Sequence, residues 1–506
     1  VPAVSVKRVQ FTAFSEAIVA NPNTPVIVGV GQFLQRDPES AVEPVEMMLK
    51  AAALAAADAD APSLLTRLDA VGVVRGLWRY ANPARYVADR VGSPTAETIG
   101  TPFGGNMVQK MLQGACVDVL AGRKSAVLLT GAENGNSQAK ARKRGAKLAE
   151  RACPGDYDRL VEDDKPMAGP AELARGIRRA VQVYPIFENA IRYARGESID
   201  EHRDRIAALW SRFSRVAAVN PHAWLPAEMD AGSIRDPSST NRWVSFPYPK
   251  LMNANNAVDM AAAIIVCSRA FADEHGVPQH QRVYPWAGTG ANDHAFVSDR
   301  DNLHTSPAIR LAGARVLDMV DLSVDQIAHI DLYSCFPSAV QVAAHELGIP
   351  EDRDLTVTGG LTFGGGPLNN YVMHSMARTV ELCRQTPSSC GLVTANGGYL
   401  TKHAIGIYST DEPERDFQYE DVQPEVDRTF KRASVVDHAG SANIESYTVM
   451  FGDGRPVVAH ASCLTPDGTR TFANCADAAL LEAMTHQEFC GVAVTIDGAG
   501  EFRPTG

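Results

Sequence analysis

The sequence predicts an α/β protein made of two diverged copies of one unit, split by a long insertion and followed by a small β-rich tail. Strands alternate with amphipathic helices up to about residue 410, and the order of elements repeats after residue 280. Two glycine-rich turns, Thr101-Pro-Phe-Gly-Gly-Asn106 and Thr362-Phe-Gly-Gly-Gly-Pro367, hold matching places in the two copies.

Pro25 to Phe33 is a continuous apolar run bounded by Asn23 and by Arg36-Asp-Pro38, as expected for a strand covered on both faces. An Ala-rich helix at Pro44 to Ala57 and a strand at Leu68 to Val74 follow. The first glycine turn leads into a helix at Met107 to Ala121 with Gly122 as its stop, then a strand at Ser125 to Gly131. In the second copy the matching elements are Val283 to Gly288, Pro307 to Met319, Ile327 to Tyr333, Tyr371 to Arg384 and Cys390 to Asn396. The insertion opens with the basic run Lys140 to Lys147 and shows helical patterns at Ala171 to Arg195 and Ile199 to Val219. Past Asp411 the pattern turns strand-like at Ala442 to Phe451, Pro456 to Leu464 and Gly491 to Ile496, with a short helix at Ala476 to Met484; it reads as a small OB-like module.

At 506 residues and 45% hydrophobic composition the chain can bury a large core. The longest apolar stretches, such as Ala261 to Val266, fall far short of the roughly 18 residues of a membrane span. Val1 to Ala20 mixes Lys7, Arg8 and Glu16 with short apolar runs, not the order of a signal peptide. Nine cysteines without C-x-x-C spacing favour reduced thiols in a cytoplasmic protein over disulfides or a metal site. Net charge is -11, and the tail from Asp411 to Gly506 holds 17 acidic against 7 basic residues, which argues against nucleic acid as a partner.

The motifs Ala126-Val-Leu-Leu-Thr-Gly-Ala-Glu133, Asn220-Pro-His-Ala223, Asp331-Leu-Tyr-Ser-Cys-Phe336 and Gly359-Gly-Leu-Thr-Phe-Gly-Gly-Gly-Pro367, together with the duplication and the insertion, resemble the thiolase superfamily over residues 24 to 410. The sterol-carrier-protein thiolase branch is the nearest, and the tail resembles the additional C-terminal domain of thiolase-like proteins of type 1. The resemblance implies a layered α-β-α-β-α thiolase fold, with one half at 1–133 plus 246–280, an inserted loop domain at 134–245, the other half at 281–410 and the additional domain at 411–506. It also implies acetyl-CoA acetyltransferase chemistry in lipid metabolism, with CoA or acyl-CoA as a ligand and no covalently bound cofactor. Relatives associate through the core, so a homodimer is expected unless the extra domain blocks that surface.

Thiolases take the acyl group on a cysteine at a helix N-terminus, where backbone N–H groups favour the thiolate. The matching position here is Gly105; Cys116, further along the helix, reads as a small core residue. Where the branch has His-Asp-Cys-Phe, this chain has Tyr333, Ser334, Cys335 and Phe336, so Cys335 matches the acid–base cysteine. The activating histidine of the Gly-His-Pro turn is matched by Gly366. The CoA-contacting loop is matched at Asn253 to Ala263, where the resemblance implies a helix start with Met260 in place of glycine and Ala254 and Asn255 against the ligand. Lys140 and Arg142 are candidates to face CoA phosphates by charge.

Three function classes remain open: a CoA- or acyl-CoA-binding protein without ordinary thiolase turnover, an aldolase-type carbon–carbon lyase, and a non-catalytic scaffold whose acidic tail recruits a protein partner. The second follows from steroid side-chain aldolases of the superfamily, which use tyrosines at places matched by Tyr333 and Tyr371.

Overall fold

The computed structural model describes residues 21–37 and 40–505. The expectations for Val1 to Ala20 and for Pro38 lie outside the described residues. The first half runs β1 (Pro25–Leu34), α1 (Pro44–Asp58), β2 (Ala70–Val73), α2 (Pro83–Val91), β3 (Glu97–Gly100), α3 (Met107–Leu120) and β4 (Ala126–Asn134). The insertion supplies α4 (Gly135–Lys143), α5 (Ala180–Arg195) and α6 (Ile199–Val219), and the chain returns through β5 (Asp259–Ser268). The second half comprises β6 (Tyr284–Asn292), α7 (Pro307–Met319), β7 (Ile327–Asp331), α8 (Pro337–Leu347), α9 (Tyr371–Gln385), β8 (Cys390–Gly397) and β9 (Lys402–Ser409). Beyond it lie β10 (Gln418–Asp421), β11 (Gly440–Gly452), β12 (Arg455–Leu464), β13 (Arg470–Cys475), β14 (Ala493–Ile496) and β15 (Phe502–Pro504).

The duplication is visible in strand order and sense. The first sheet is β1-β5-β4-β2-β3, antiparallel at β1/β5 and β5/β4 and parallel at β4/β2. The second is β6-β9-β8-β7, with the same two antiparallel pairs followed by a parallel one. Helices α3 and α9 lie between the two sheets and contact both, α1 covers the outer face of the first and α7 that of the second. The result is the expected five-layered α-β-α-β-α core. The outer edge of β3 is taken by Arg159–Leu160 of the insertion, and β10, past the expected domain start at 411, joins the outer edge of β6 in parallel.

Two local expectations are corrected. Asp259 to Ser268 is a central strand, not a helix start: Met260 to Cys267 are apolar on both faces, every residue is buried, and both edges are paired, so tertiary pairing overrides the helix propensity of its alanines. The helical pattern from Ala171 to Arg195 is broken by Gly176, whose φ of +71° is the left-handed conformation that ends the short helix Pro170–Ala174. Among the described residues no helix is long and apolar enough to cross a membrane.

The tail is an antiparallel sheet, β13-β12-β11-β14-β15, with its own apolar core around Ile444, Tyr447, Ala461 and Met484. It is fastened to the rest by buried polar groups. Arg470, fully buried, donates to the carbonyls of Ser298 and Asp301 (each 3.1 Å) and pairs with Glu445 at 2.6 Å. Along α5, Asn189 donates to the Tyr447 carbonyl (2.9 Å), Ser446 to the Ile186 carbonyl (2.5 Å) and Arg192 to Glu488 (2.8 Å).

A buried charge cluster joins α5 to α6. Both ring nitrogens of His202 meet carboxylates at 2.6 Å, Glu188 on one side and Glu197 on the other, and Arg205 stands beside them. Burial opposes the charged His202, but these two bonds outweigh it and raise its pKa. Burial likewise opposes the Glu188 carboxylate, yet bonds from His202, Tyr248 and Gln341 lower its pKa. The stabilisation from His202 is complete below the ordinary value of 6.5 and is lost as pH rises through its raised value. That from Glu188 is present above 4.5 and is lost as pH falls through its lowered value. The joint contribution is therefore largest between roughly pH 4.5 and 6.5 and shrinks on the alkaline side. Urea midpoints taken across pH should show that alkaline decline in the wild type and its absence in His202→Gln, which is also less stable overall by about 3 kcal/mol because Glu188 is left buried without its cation.

Candidate functional site

The sandwiched helices α3 and α9 bring the two glycine turns to one end of the core, where they border a cavity of about 450 Å3. Its wall takes Gly104 and Gly105 from the turn before α3, Leu361, Leu368 and Asn369 from the turn before α9, Tyr333 and Cys335 from the loop after β7, and Asn396 from β8. The insertion closes it with Arg179, Val181 and Tyr184 at the start of α5, and Asn253 and Ala254 approach along the chain into β5.

Gly105 lies two residues before α3. A Cβ there would stand 2.4 Å from the Asn396 carbonyl oxygen and 2.6 Å from the Tyr333 hydroxyl, so the place of a side chain at this turn is filled. The Tyr333 hydroxyl borders the cavity and finds no hydrogen-bond partner among the described residues; burial raises its pKa. Cys335, 8% exposed, also faces the cavity, and burial pushes its thiol up to about 12. Cys116 sits fully buried in α3, as a core residue.

The structure does not bring the remaining expected residues to the cavity in the same way. Tyr371 packs its ring edge-on against Tyr333, centroids 5.5 Å apart, but its hydroxyl points into a buried network, 2.9 Å from Asp331 and 2.7 Å from Thr358. Ser334 lies in that same network, 3.4 Å from the Tyr371 hydroxyl. Gly366 donates its N–H to the Asn255 carbonyl (3.0 Å), so Asn255 braces the glycine turn, while its neighbours Ala254 and Asn256 line the cavity. A Cβ on Gly366 would meet Asn256, Asn255 and Leu361 at 3.1–3.2 Å. Met260 is buried on β5, its sulfur 2.5 Å from where a Cβ on Gly365 would lie. Lys140 and Arg142 are exposed on α4, and Arg142 borders a second cavity with Trp78, Glu133 and Lys147.

Three polar lining residues were not legible as site residues: Arg179 and Tyr184 belong to an insertion helix whose apolar spacing looks like any other, and Asn396 ends a strand pattern without a motif, whereas Asn253 opens the segment matched to the CoA-contacting loop. Asn253 Oδ1 and Asn396 Oδ1 are buried without a protein hydrogen-bond partner, and both residues border the cavity. Leu368, also in the wall, holds a left-handed φ of 47°, a strained conformation for leucine of the kind that collects at binding sites.

A duplicated five-layered core, with a cavity where its paired glycine turns meet, defines a protein of the thiolase fold. The family model described as the thiolase-like protein type 1 additional C-terminal domain matches residues 421–501. A monomeric SCP2-thiolase-like protein type 1 from Mycobacterium smegmatis, known from a crystal structure, is 29% identical, with a TM-score of 0.82 over 96% of this chain and 99% of that one. The chain thus has a thiolase-like fold and, at residues 421–501, matches the additional C-terminal domain of thiolase-like proteins of type 1. Two further structures share the fold: the Ltp2-ChsH2(DUF35) aldolase (19% identity, TM-score 0.60) and human mitochondrial 3-ketoacyl-CoA thiolase (15%, TM-score 0.55), each over 78% of this chain and all of the other.

The crowding at Gly105 is measurable. Gly105→Ala should lower stability to urea by about 1–3 kcal/mol, because the new methyl meets a backbone carbonyl that cannot swing away, whereas an alanine at Gly114, with open space around it, should not destabilise.

Proposed function

We propose that the chain binds CoA or an acyl-CoA in the 450 Å3 cavity and does not carry out ordinary cysteine thiolysis. The observation that carries this reading is the occupied space at Gly105: the Tyr333 hydroxyl and the Asn396 carbonyl stand where a side chain would begin. Thiolysis by the route of the superfamily needs a thiolate at that turn, and the residue there has no side chain. The fold shared with a 3-ketoacyl-CoA thiolase supports a CoA thioester as the ligand class.

The cavity's own groups suit such a ligand. The unpaired amide oxygens of Asn253 and Asn396 accept from the N–H groups of a pantetheine chain, Ala254 and Leu361 give it apolar wall, and exposed Arg179 offers a fork of donors to phosphate. Lys140 and Arg142 add long-range attraction for the same phosphates. The monomeric relative from Mycobacterium smegmatis favours a monomer here.

A lyase reading is favoured by one observation, the free Tyr333 hydroxyl beside Cys335 at the cavity wall. Tyr333 then serves as a proton-transfer group for retro-aldol cleavage of a 3-hydroxyacyl-CoA, while Tyr371 holds Asp331 and Thr358 in the wall behind it.

Calorimetric titration with CoA and acetyl-CoA should give saturable binding, weakened several-fold in Arg179→Ala; no heat of binding at millimolar ligand would sink the proposal and leave the scaffold reading. For the lyase, bulky 3-hydroxyacyl-CoA substrates are offered to wild type and Tyr333→Phe, and turnover that survives the change unaltered removes this tyrosine from the chemistry.

A further inference from the structure

The cavity that Arg142 borders, of about 460 Å3, lies across a thin wall from the first. Gly135 borders it and Asn256 borders the first, and a Cβ on Gly135 would stand 2.2 Å from the Asn256 carbonyl oxygen, so closely packed backbone divides the two spaces there. Helix α4 forms one side. Gly135, Gln138 and Arg142 fall at i, i+3 and i+7, one face of that helix, and all three border the cavity. Lys147 and Glu150 come from the chain beyond α4, Leu77, Trp78 and Arg79 from the loop after β2, and Glu133 and Asn134 from the end of β4.

Glu133 is 6% exposed. One of its oxygens accepts the Leu77 N–H at 2.9 Å, an approach left open by Gly76, where a Cβ would stand 2.6 Å from that oxygen. The other oxygen has no hydrogen-bond partner among the described residues, although the residue borders the cavity. Burial pushes the carboxyl up to about 8, with the Leu77 bond and Arg75 opposing and Glu150 adding to the rise. At neutral pH the group therefore keeps its proton and has an O–H to donate. Arg142 and Lys147 are both exposed, and neither makes an ion pair among the described residues. Beside them Leu77 is exposed, and Trp78, with Arg75 stacked on its ring at 5.1 Å, supplies an aromatic wall. A neutral acid at the floor, free cations at the mouth and an apolar flank make a space that lacks an anion.

We propose that this cavity is a second ligand site, taking a small phosphorylated organic molecule whose phosphate lies between Arg142, Lys147 and the Glu133 carboxyl and whose body lies against Leu77 and Trp78. The site does not depend on the acyl-thioester reading of the first cavity. A guanidinium offers phosphate oxygens a planar fork and an ammonium a point charge, and a protonated carboxyl adds a third donor without adding charge. A cationic ligand would instead need Glu133 ionised and would meet Arg79, Arg142 and Lys147 on its way in. Arg75, Arg79, Arg142, Lys147 and Glu150 are the charged groups around Glu133. Ionising Glu133 among them sets a carboxylate against the phosphate, so affinity falls as pH rises through about 8.

Phenyl phosphate, titrated into the full-length protein by calorimetry, is the probe. Binding at pH 7.5 should be saturable, and losing the charged fork in Arg142→Ala should weaken it about tenfold. Lys143→Ala removes the same charge from the same helix outside the cavity and should stay within about twofold of wild type. Both side chains are exposed, so neither change threatens the fold. Between pH 7.5 and 9 the wild type should lose affinity several-fold, whereas Glu133→Gln, which keeps a donor and cannot ionise, should bind equally well at both. Undetectable heat at millimolar phenyl phosphate, equal weakening in Lys143→Ala, or a signal lost in Arg179→Ala rather than in Arg142→Ala would overturn the proposal. So would an affinity that rises toward pH 9 and vanishes in Glu133→Gln, the pattern of a ligand that sets an ammonium on the carboxylate.

Discussion

Helices α3 and α9 are buried between two sheets, and that placement governs the rest of the molecule. Each packs against strands of both sheets and against the other, so neither can shift without disturbing both halves. Their preceding turns must therefore meet at one end, and the backbone there has to pass close to its neighbours. Glycine at 105 and at 366 is the residue type that such an approach allows, since a Cβ at either place meets backbone oxygen. The cavity is the space left over between these two constrained turns.

The insertion and the tail complete what the duplicated core leaves open. Helix α5 presents Arg179, Val181 and Tyr184 to the cavity, and its continuation is bound to β11 of the tail. The additional domain thus belongs to the cavity's architecture at one remove, by fixing the helix that forms one wall. The buried His202 cluster secures the same helix from the side of α6, and Glu188 within it also reaches Tyr248, behind Phe336. Charge, aromatic stacking and sheet contacts all converge on one helix.

Much of the fold was legible because it rests on strong local patterns. Helices at Pro307–Met319 and Ile199–Val219 fall where their spacing places them, and the two halves share one run of four strands, two antiparallel pairs and then a parallel one. The strand at Asp259–Ser268 was not, since an alanine run carries no strand preference and its pairing partners are more than a hundred residues away. The site divided in the same manner. Gly105, Tyr333 and Cys335 sit in motifs and reach the cavity wall, whereas Tyr184 and Asn396 owe their places to long-range packing that no short pattern encodes. Tyr371 illustrates the limit of spacing: four residues past Pro367 it starts a helix, but the rotation of that helix sends its hydroxyl to Asp331.

The short segment Arg159–Leu160 has a consequence for how copies of the chain meet. A sheet edge ordinarily offers a row of unsatisfied amides and carbonyls to any strand that approaches. At β3 that row is partly spent within the chain, with Tyr157 laid over Gly100 beside it. The insertion that shapes the cavity also shields this flank, so a continuous sheet running from one molecule into the next cannot form there without first displacing it.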